Sequence, residues 1–262
     1  MRAALIQLDG SLEAPLAERV ERAAGLVRAQ RGADLVVLPE LWAHGAWATD
    51  SWAESAAPLE GPVLDALRHA ARETGCVLHG GSLLERLADG RVFNTAVVLG
   101  PDGELLATYR KIHRFGFDAG EAAVLAAGED VATVDALGSR LGLATCYDLR
   151  FPELFRVLVD RGAQAFVVAA SWPAKRREHW SLLARARAVE DQAWVFACGQ
   201  AGTQAGVELA GGSLVVDPWG RVVAEAGTGE QVLEVEVDLG EVEGVRAGFP
   251  VLRDRRLSSA TD

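Results

Sequence analysis

The sequence lacks the segments on which membrane and secreted proteins depend. Among its 262 residues, no run of apolar residues approaches the roughly 18 that a membrane-spanning helix requires. The first residues, RAALIQLDG, lead directly into an apolar stretch typical of a β-strand, so no signal peptide is expected. These absences argue against an integral membrane protein and against a secreted one.

Cysteine is also scarce, and its spacing excludes two further kinds of site. Cys76, Cys146 and Cys198 are separated by 70 and 52 positions, and none belongs to a CxxC pair. The five histidines likewise lack the spacing of metal ligands. An odd and sparse set of cysteines is typical of free thiols in a reducing compartment. We therefore expect a cytoplasmic protein without a metal site.

Basic residues are outnumbered by acidic ones, which argues against nucleic acid and anionic membranes as partners. The 26 lysines and arginines stand against 37 aspartates and glutamates, a formal net charge of -11. A nucleic-acid-binding protein needs a basic face, and an anionic membrane surface attracts basic proteins. No strand–GxGxxG–helix unit indicates a dinucleotide site. A small anionic substrate is compatible with this charge, because a few local arginines can bind it.

Apolar strands and amphipathic helices alternate along the chain. The spacing of apolar residues predicts helices over 12–31, 62–74 and 178–192, and a further helix that follows Cys146 and ends near Gly162. Strands and hairpins are predicted in the apolar segments between them. Because no linker, repeat or low-complexity segment divides the chain, we predict one α/β domain over 1–262, with helices flanking the sheets as a layered sandwich.

Three side chains that could carry chemistry follow the ends of predicted strands. Glu40 follows LVVLP, Lys111 follows LLATYR, and Cys146 follows LGLAT. Functional residues of α/β proteins concentrate at such strand ends. The helix expected near Pro152 should lower the pKa of the Cys146 thiol. Burial should raise the pKa of Glu40, which suits a general base.

Each of these residues also has a purely structural interpretation. Cys146 could be a small buried side chain, and Lys111 could belong to an exposed basic cluster in YRKIHR. Glu40 could be solvated near the end of its element. From position alone, the structural interpretation is favoured for Cys146 and Lys111, and for Glu40 the two are equally supported.

The segments VVLPELW, YRKIHRFGF and CYDLRFPELFR, in this order, resemble the nitrilase superfamily of carbon–nitrogen hydrolases. The resemblance extends over nearly the whole chain. It implies a four-layer α-β-β-α sandwich, a homodimer, and a catalytic Glu-Lys-Cys triad formed by Glu40, Lys111 and Cys146. The three motifs together outweigh the structural interpretations of the single residues.

Further positions can be compared with the same family. Its second glutamate, in the loop after the lysine, is best matched by Glu121, and Glu129 is the alternative. Asn94 resembles a family position that is expected to support the backbone. Asp191 stands where relatives usually have asparagine, at the end of a helix, and no effect on the chemistry is expected there.

The segments CYDLRFPE and SWPAKRREHW are most similar to the omega-amidase-like branch. The resemblance implies that the enzyme cleaves small 2-oxo acid amides, such as 2-oxoglutaramate, to carboxylate and ammonia through a thioester on Cys146. Glu40 would move protons, and Lys111 and the Tyr147 N–H would stabilise the oxyanion. Glu121 would orient Lys111 or the substrate, and no metal or organic cofactor is needed.

Other activities of the same family are alternatives, namely hydrolysis of nitriles, N-carbamoyl compounds or deaminated glutathione. A non-catalytic binding protein is a third hypothesis. The retention of Glu40, Lys111 and Cys146 together counts against it.

An anionic substrate would need a guanidinium, because arginine binds carboxylates with two parallel hydrogen bonds. Arg176 is the candidate, with Lys175 and Arg177 as neighbours that could replace it, and an exposed basic loop is the structural alternative. Trp172 could form a wall of the substrate site or pack in the core. Arg150 is expected to be structural, paired with Asp148 or Glu153.

Overall fold

The computed structural model describes residues 1–257. The predicted domain extends to residue 262, and residues 258–262 lie outside the described residues. The strands in chain order are β1 (Arg2–Gln7), β2 (Leu35–Val37), β3 (Val77–Arg86), β4 (Val92–Leu99), β5 (Leu105–Arg110), β6 (Thr133–Ala136), β7 (Ser139–Thr145), β8 (Ala165–Ala169), β9 (Trp194–Cys198), β10 (Thr203–Gln204), β11 (Val207–Glu208), β12 (Leu214–Val216), β13 (Val222–Glu225) and β14 (Gln231–Glu236). The α-helices are α1 (Leu16–Arg28), α2 (Trp52–Ser55), α3 (Pro62–Thr74), α4 (Glu121–Val124), α5 (Pro152–Asp160), α6 (Arg177–Asp191) and α7 (Glu241–Gly248).

Most of the strands form two six-stranded sheets. The first has the order β14-β1-β2-β3-β4-β5 and the second the order β13-β12-β9-β8-β7-β6. In each sheet the three central strands are parallel, β1-β2-β3 in one and β7-β8-β9 in the other, and the outer pairs are antiparallel. The chain leaves β2 toward Glu40 and β7 toward Cys146, both at the carboxyl ends of parallel strands, where α/β proteins place their ligand sites.

The two sheets pack face to face and helices cover their outer faces. Side chains such as Leu5, Val37, Leu143 and Phe196 form the apolar layer between the sheets. Helices α1 and α3 bury their apolar faces against the first sheet, and α5 and α6 bury theirs against the second. The result is the four-layer α-β-β-α sandwich that the resemblance implies. None of the helices in residues 1–257 is long and apolar enough to span a membrane.

Helix boundaries follow their local residues. Helix α3 begins at Pro62, whose fixed φ suits a first helical position, and ends before Gly75 in the left-handed conformation. The first helix is shorter than the predicted 12–31, because it begins only after Pro15. Helix α7 and the short strands β10 and β11 were not predicted from the sequence.

An irregularity in β3 holds the segment that carries Glu40. The pairing of β3 with β4 shifts register between His79 and Ser82, around two glycines. At this bulge, Ser82 Oγ accepts a hydrogen bond from the Leu41 N–H at 3.1 Å. The indole of Trp42 donates to the Gly80 carbonyl at 2.9 Å. Leu41 itself has a positive φ of 43°, so the turn after Glu40 is held by contacts with the bulge.

Substitution of Gly81 tests the close packing of the β3 bulge against the segment that carries Glu40. Gly81 has a φ of +69°, and a Cβ there would overlap the Pro39 carbonyl. Gly90, in the turn between β3 and β4, has a φ of +88° with no atom within 4 Å of a new Cβ. We expect Gly90→Ala to cost about 1 kcal/mol in the free energy of unfolding and Gly81→Ala at least about 2 kcal/mol more. Urea denaturation measures both values, and equal losses would contradict the contact.

Candidate active site

A cavity of about 380 Å³ lies at the carboxyl ends of the parallel strands. It is lined by all seven residues that the sequence analysis selected, which are Glu40, Lys111, Glu121, Cys146, Tyr147, Trp172 and Arg176. The rings of Trp47 and Phe115, with centroids 5.6 Å apart, line it as well. The sequence analysis did not single out these two aromatic residues, because nothing in a loop sequence shows which side chains face a cavity.

The Glu40 carboxylate is buried, with 2% of the residue exposed, and three groups donate hydrogen bonds to it. Lys111 Nζ donates to Oε1 at 2.7 Å, and Asn94 Nδ2 donates to the same oxygen at 2.9 Å. The Ser171 N–H, just beyond β8, donates to Oε2 at 2.9 Å. Glu40 therefore joins the two sheets, since its donors come from both.

Glu121 holds Lys111 from the other side. Lys111 Nζ donates to Glu121 Oε2 at 2.6 Å, and the Phe115 N–H donates to the same oxygen at 2.9 Å. Burial and the neighbouring Glu40 raise the pKa of Glu121, although Lys111 opposes the shift. The alternative residue Glu129 lies elsewhere, in a cleft beside Arg91 and not in this cavity. The geometry therefore favours Glu121.

Lys111 is an almost fully buried cation, with 1% of the residue exposed. Burial alone would lower its pKa, but the carboxylates of Glu121 and Glu40 outweigh burial and raise that pKa well above its ordinary value. The lysine is therefore an ammonium at neutral pH. Two carboxylates around one ammonium leave the cluster with a net negative charge. Further hydrogen-bond donors are needed to stabilise that charge.

Asn94 supplies such a donor, because its side-chain Nδ2 bridges the two carboxylates. It donates to Glu40 Oε1 at 2.9 Å and to Glu121 Oε1 at 2.8 Å. The expectation that Asn94 supports the backbone is thus incomplete, since its side chain fixes the distance between two charged side chains. Asn94 lies in β4 beside the last residues of β5, so its side chain can reach both carboxylates. The register between these two strands is not visible in the sequence.

Cys146 is the first residue of a 3-10 turn that spans Cys146–Arg150 directly after β7. Its φ of 48° lies in the left-handed region, which is uncommon for a residue with a side chain. Asp148 fixes this turn by accepting hydrogen bonds from the Thr145 N–H at 2.9 Å and the Tyr109 hydroxyl at 2.7 Å. The His113 N–H donates to the same carboxylate at 3.0 Å.

The prediction of a lowered thiol pKa at Cys146 is wrong. Burial, followed by the charge of Glu40, raises the pKa of Cys146 well above its ordinary value, and Lys111 only partly opposes them. The 3-10 turn also separates the cysteine from α5, which begins at Pro152. The group is therefore a neutral thiol in the free protein, near enough to Glu40 for the charge of that carboxylate to raise its pKa.

The loop that follows β8 forms the opposite wall. Trp172 is buried, lines the cavity, and donates through Nε1 to the Arg176 carbonyl at 2.8 Å. The Arg176 guanidinium lies over the Phe115 ring, 5.2 Å from its centroid. Of the two alternatives to Arg176, Lys175 is exposed, and Arg177 donates to the Ala210 carbonyl at 2.9 Å. Arg176 is thus the cation of this basic segment that reaches the cavity.

The expected pairing of Arg150 with Asp148 or Glu153 is wrong. Asp148 is fully buried among other donors, and Glu153 is exposed on α5. Arg150 instead lies over the Trp172 ring, 4.9 Å from its centroid, and contacts His179 Nδ1 at 3.2 Å. Arg150 also lines the cavity.

Asp191 lies at the last position of α6, as the sequence predicts, and is fully buried. Its carboxylate is 3.0 Å from Arg156 Nη1. Burial, opposed by Arg156, raises the pKa of Asp191 to about 7. The residue does not line the cavity. Elsewhere in residues 1–257, no group of three His, Cys, Asp or Glu side chains is arranged to hold a metal ion.

The fold and the site together define a class of hydrolases in which an α-β-β-α sandwich holds a buried cysteine beside a lysine and two glutamates. Residues 2–247 match the carbon-nitrogen hydrolase family, and the chain belongs to this family within the nitrilase superfamily, in its omega-amidase-like branch.

Three similar proteins illustrate the relationship. A 2-oxoglutaramate amidase of Paenarthrobacter nicotinovorans is 42% identical over 92% of this chain and 84% of its own length. The human omega-amidase NIT2 is 37% identical over 97% of this chain and 95% of its own. The crystal structure of XC1258 from Xanthomonas campestris, a CN-hydrolase superfamily protein with an arsenic adduct in the active site, superposes with a TM-score of 0.91. It is 30% identical and covers 100% of this chain and 99% of its own.

Removal of the buried lysine should destabilise the protein. In Lys111→Met, two buried carboxylates lose their cation, so we expect a loss of at least about 3 kcal/mol in the free energy of unfolding. Arg2→Met, which breaks an exposed pair with Glu234, should cost less than about 1 kcal/mol. Urea denaturation of both variants measures the difference.

The loss in Lys111→Met should shrink as the pH falls from about 8 to about 5. Without the lysine, burial and mutual repulsion hold the carboxyl pKa values above those of the unfolded chain. The folded variant then binds protons more tightly, and its stability is recovered below the folded-state pKa values. A pH-independent loss would show that the carboxylates find other partners.

Proposed function

We propose that the chain hydrolyses the terminal amide of a small 2-oxo acid, such as 2-oxoglutaramate, to a carboxylate and ammonia. The observation that carries the proposal is the shared cavity in which a neutral cysteine thiol faces Glu40 beside a buried lysine. The names of the amidases that are 37% to 42% identical support the substrate class. The arginines on the cavity wall support an anionic substrate.

Acylation of Cys146 begins with proton transfer to Glu40. Because the pKa of the thiol is raised, the sulfur becomes a strong nucleophile only when its proton leaves, and the neighbouring Glu40 carboxylate in the same cavity is placed to take it. Sγ then attacks the amide carbon. The Lys111 ammonium and the Tyr147 N–H stabilise the oxyanion of the tetrahedral intermediate.

Breakdown of that intermediate returns the proton. Glu40, now protonated, donates to the amide nitrogen, the carbon–nitrogen bond breaks, and ammonia leaves with a thioester remaining on Cys146. Glu40 next removes a proton from water, which attacks the thioester carbonyl. When the carbon–sulfur bond breaks, the protonated Glu40 returns this proton to the sulfur, which restores the thiol, and the acid product is released.

Glu121 contributes to this mechanism through Lys111. Its hydrogen bond at 2.6 Å fixes the ammonium between two carboxylates, so the cation is already oriented when the oxyanion forms. Trp172 and the aromatic side chains around it would enclose the short carbon chain of the substrate. Arg176 is placed to bind the anionic end.

Other carbon–nitrogen hydrolase activities use the same groups. A nitrile would form a thioimidate on Cys146 rather than a tetrahedral amide adduct, and an N-carbamoyl compound or deaminated glutathione would fill the cavity differently. A purely binding role does not account for a buried ammonium held beside a thiol, because burying these charges is costly.

We also propose a cytoplasmic homodimer built from one domain over 1–262. The three cysteines are free and buried, which fits a reducing compartment. The exposed side chain of Val189 on α6 packs beside Gly220, next to the half-exposed and stacked rings of Trp219 and Phe249. Such a patch supports an interface between two copies. Light scattering distinguishes a dimer from the 27.8 kDa chain.

Ammonia release from a substrate panel tests the proposed activity. The panel contains 2-oxoglutaramate, a neutral aliphatic amide, a nitrile and an N-carbamoyl amino acid. We expect kcat/KM for 2-oxoglutaramate to exceed the other values by about 10-fold or more, since the anionic end gains a charge-assisted pair. Preferred turnover of the nitrile or the carbamoyl compound would overturn the substrate assignment while leaving the nucleophile untested.

Two cysteine variants then test the nucleophile. Cys146→Ala should lower kcat by about 10⁴-fold or more, because no other thiol reaches the cavity. Cys76→Ala removes a buried thiol at the start of β3 and should retain activity within about 3-fold at a temperature where it stays folded. If Cys146→Ala keeps the activity of wild type, the assignment of Cys146 is wrong.

A further inference from the structure

Asn94 is a buried amide on β4 that contacts each charged side chain of the buried ion cluster. Its side chain shares a face of β4 with Ala96, which packs between the sheets, because side chains alternate along a strand. Its backbone carbonyl accepts a hydrogen bond from the Lys111 N–H at 2.9 Å. Its side chain donates to both Glu40 and Glu121. One residue therefore holds the lysine through its backbone and the two carboxylates through its amide.

The direction of the two side-chain hydrogen bonds follows from their partners. Both partners of the Asn94 amide are carboxylate oxygens, which only accept when they are ionised. The amide nitrogen, with its two N–H groups, must therefore face them. Asn94 Oδ1 accepts no hydrogen bond from residues 1–257. A neutral group that only donates at this point favours the ionised form of both glutamates.

The hydrogen bonds to Glu40 leave one of its oxygens able to take a proton. Oε1 accepts from Lys111 Nζ at 2.7 Å and from Asn94 Nδ2 at 2.9 Å, which fills its two lone-pair positions. Oε2 accepts from the Ser171 N–H at 2.9 Å and keeps its second position. A proton that moves from the thiol to Glu40 is thus directed to Oε2.

Glu121 depends more strongly on Asn94. Its Oε2 accepts from Lys111 Nζ and the Phe115 N–H, whereas within residues 1–257 its Oε1 accepts only from Asn94. Burial, together with the charge of Glu40 and against that of Lys111, raises the pKa of Glu121. Without Asn94, a buried carboxylate oxygen would lack a donor inside a net negative cluster. Protonation of Glu121 would then relieve both the missing hydrogen bond and the repulsion.

We propose that Asn94 is a positioning residue whose two N–H groups keep Glu40 and Glu121 ionised together, so that Oε2 of Glu40 is free to take the proton of Cys146. This assignment rests on the proposed function, because it identifies the atom that acts as the base in that reaction. Two carboxylates that share one site otherwise retain a proton between them, since like charges at short range disfavour double ionisation. Asn94 is not among the residues that line the cavity, so it acts through the glutamates.

The charges around the cluster define a matched control. The titratable groups that share the cavity with the two carboxylates are Lys111, Cys146, Tyr147, Arg150 and Arg176. On the opposite face of β4, Thr95 Oγ1 donates to Glu85 at 2.7 Å, and Glu85 pairs with Arg110. Thr95→Val therefore removes a buried donor to a carboxylate from the same strand, one residue away, without removing a donor to Glu40 or Glu121.

Asn94→Leu removes both donors at nearly constant size. The carboxylates then bind protons more tightly, so the base is lost at low pH. We expect the loss in kcat/KM for 2-oxoglutaramate to be about 10-fold larger at about pH 6 than at about pH 8, which is an upward shift of about one pH unit in the acid limb. Thr95→Val should lose less than about 3-fold at either pH.

Asn94→Asp should show the opposite pH dependence. Its carboxyl, buried beside two others, retains a proton at low pH and then donates one O–H to a glutamate. As the pH rises this proton is lost and three carboxylates repel one another, so the loss should be larger at about pH 8 than at about pH 6. Losses that do not change with pH would show that Asn94 only supports the fold, and the assignment would be overturned. Where Asn94→Leu does not fold, Asn94→Asp decides by the same criterion.

Alkylation of Cys146 by iodoacetamide separates this assignment from the proposed function. The reaction requires the thiol to lose its proton but involves no turnover, and peptide mass spectrometry measures its rate. We expect the acid limb of the alkylation rate to shift upward in Asn94→Leu as it does for kcat/KM. If wild type does not hydrolyse 2-oxoglutaramate but the alkylation profile shifts, the substrate class fails and the role of Asn94 stands. If wild type hydrolyses it and neither profile shifts, the amidase proposal stands and the role of Asn94 is overturned.

Discussion

The active site depends on one buried interaction, the Lys111 ammonium held between the carboxylates of Glu40 and Glu121. Each buried ion carries a desolvation cost of several kcal/mol, which is offset only where the geometry is good and the remaining lone pairs are satisfied. Here the further donors are the Asn94 amide and the backbone N–H groups of Ser171 and Phe115. These donors come from both sheets and from a loop, so the cluster requires the whole sandwich to be assembled.

That interaction also affects the protonation state of Cys146. A thiol next to a lone ammonium would tend to ionise, but Lys111 is paired with two carboxylates, and burial, followed by the charge of Glu40, raises the pKa of the thiol. The site therefore holds a protonated thiol with a base beside it, rather than a preformed thiolate. In the proposed mechanism, proton transfer accompanies attack on the substrate, and the neutral thiol is less reactive toward other electrophiles between turnovers.

The sequence predicts much of this arrangement, and the parts it misses share a cause. The apolar pattern of the strands before Glu40, Lys111 and Cys146 is plain, so a layered α/β sandwich could be predicted from it. The four layers and the convergence of the three side chains were predicted from the resemblance of the three local motifs to the nitrilase superfamily. The bridge made by Asn94 depends on the register between β4 and its neighbours. The position of Arg150 depends on how α6 packs beside the turn that follows β7. The wrong pKa direction for Cys146 arose because a helix N-terminus is visible in the sequence while burial beside Glu40 is not.

The central claim is that the acyl group passes through Cys146, and trapping of the intermediate tests it most directly. Wild-type protein is mixed with 2-oxoglutaramate, quenched in acid during turnover, and analysed by intact and peptide mass spectrometry. The account predicts an acyl adduct on the peptide that contains Cys146, its absence in Cys146→Ala, and formation of a hydroxamate when hydroxylamine competes with water. Full turnover with neither a Cys146 adduct nor a hydroxamate, or an adduct on another residue, would contradict it.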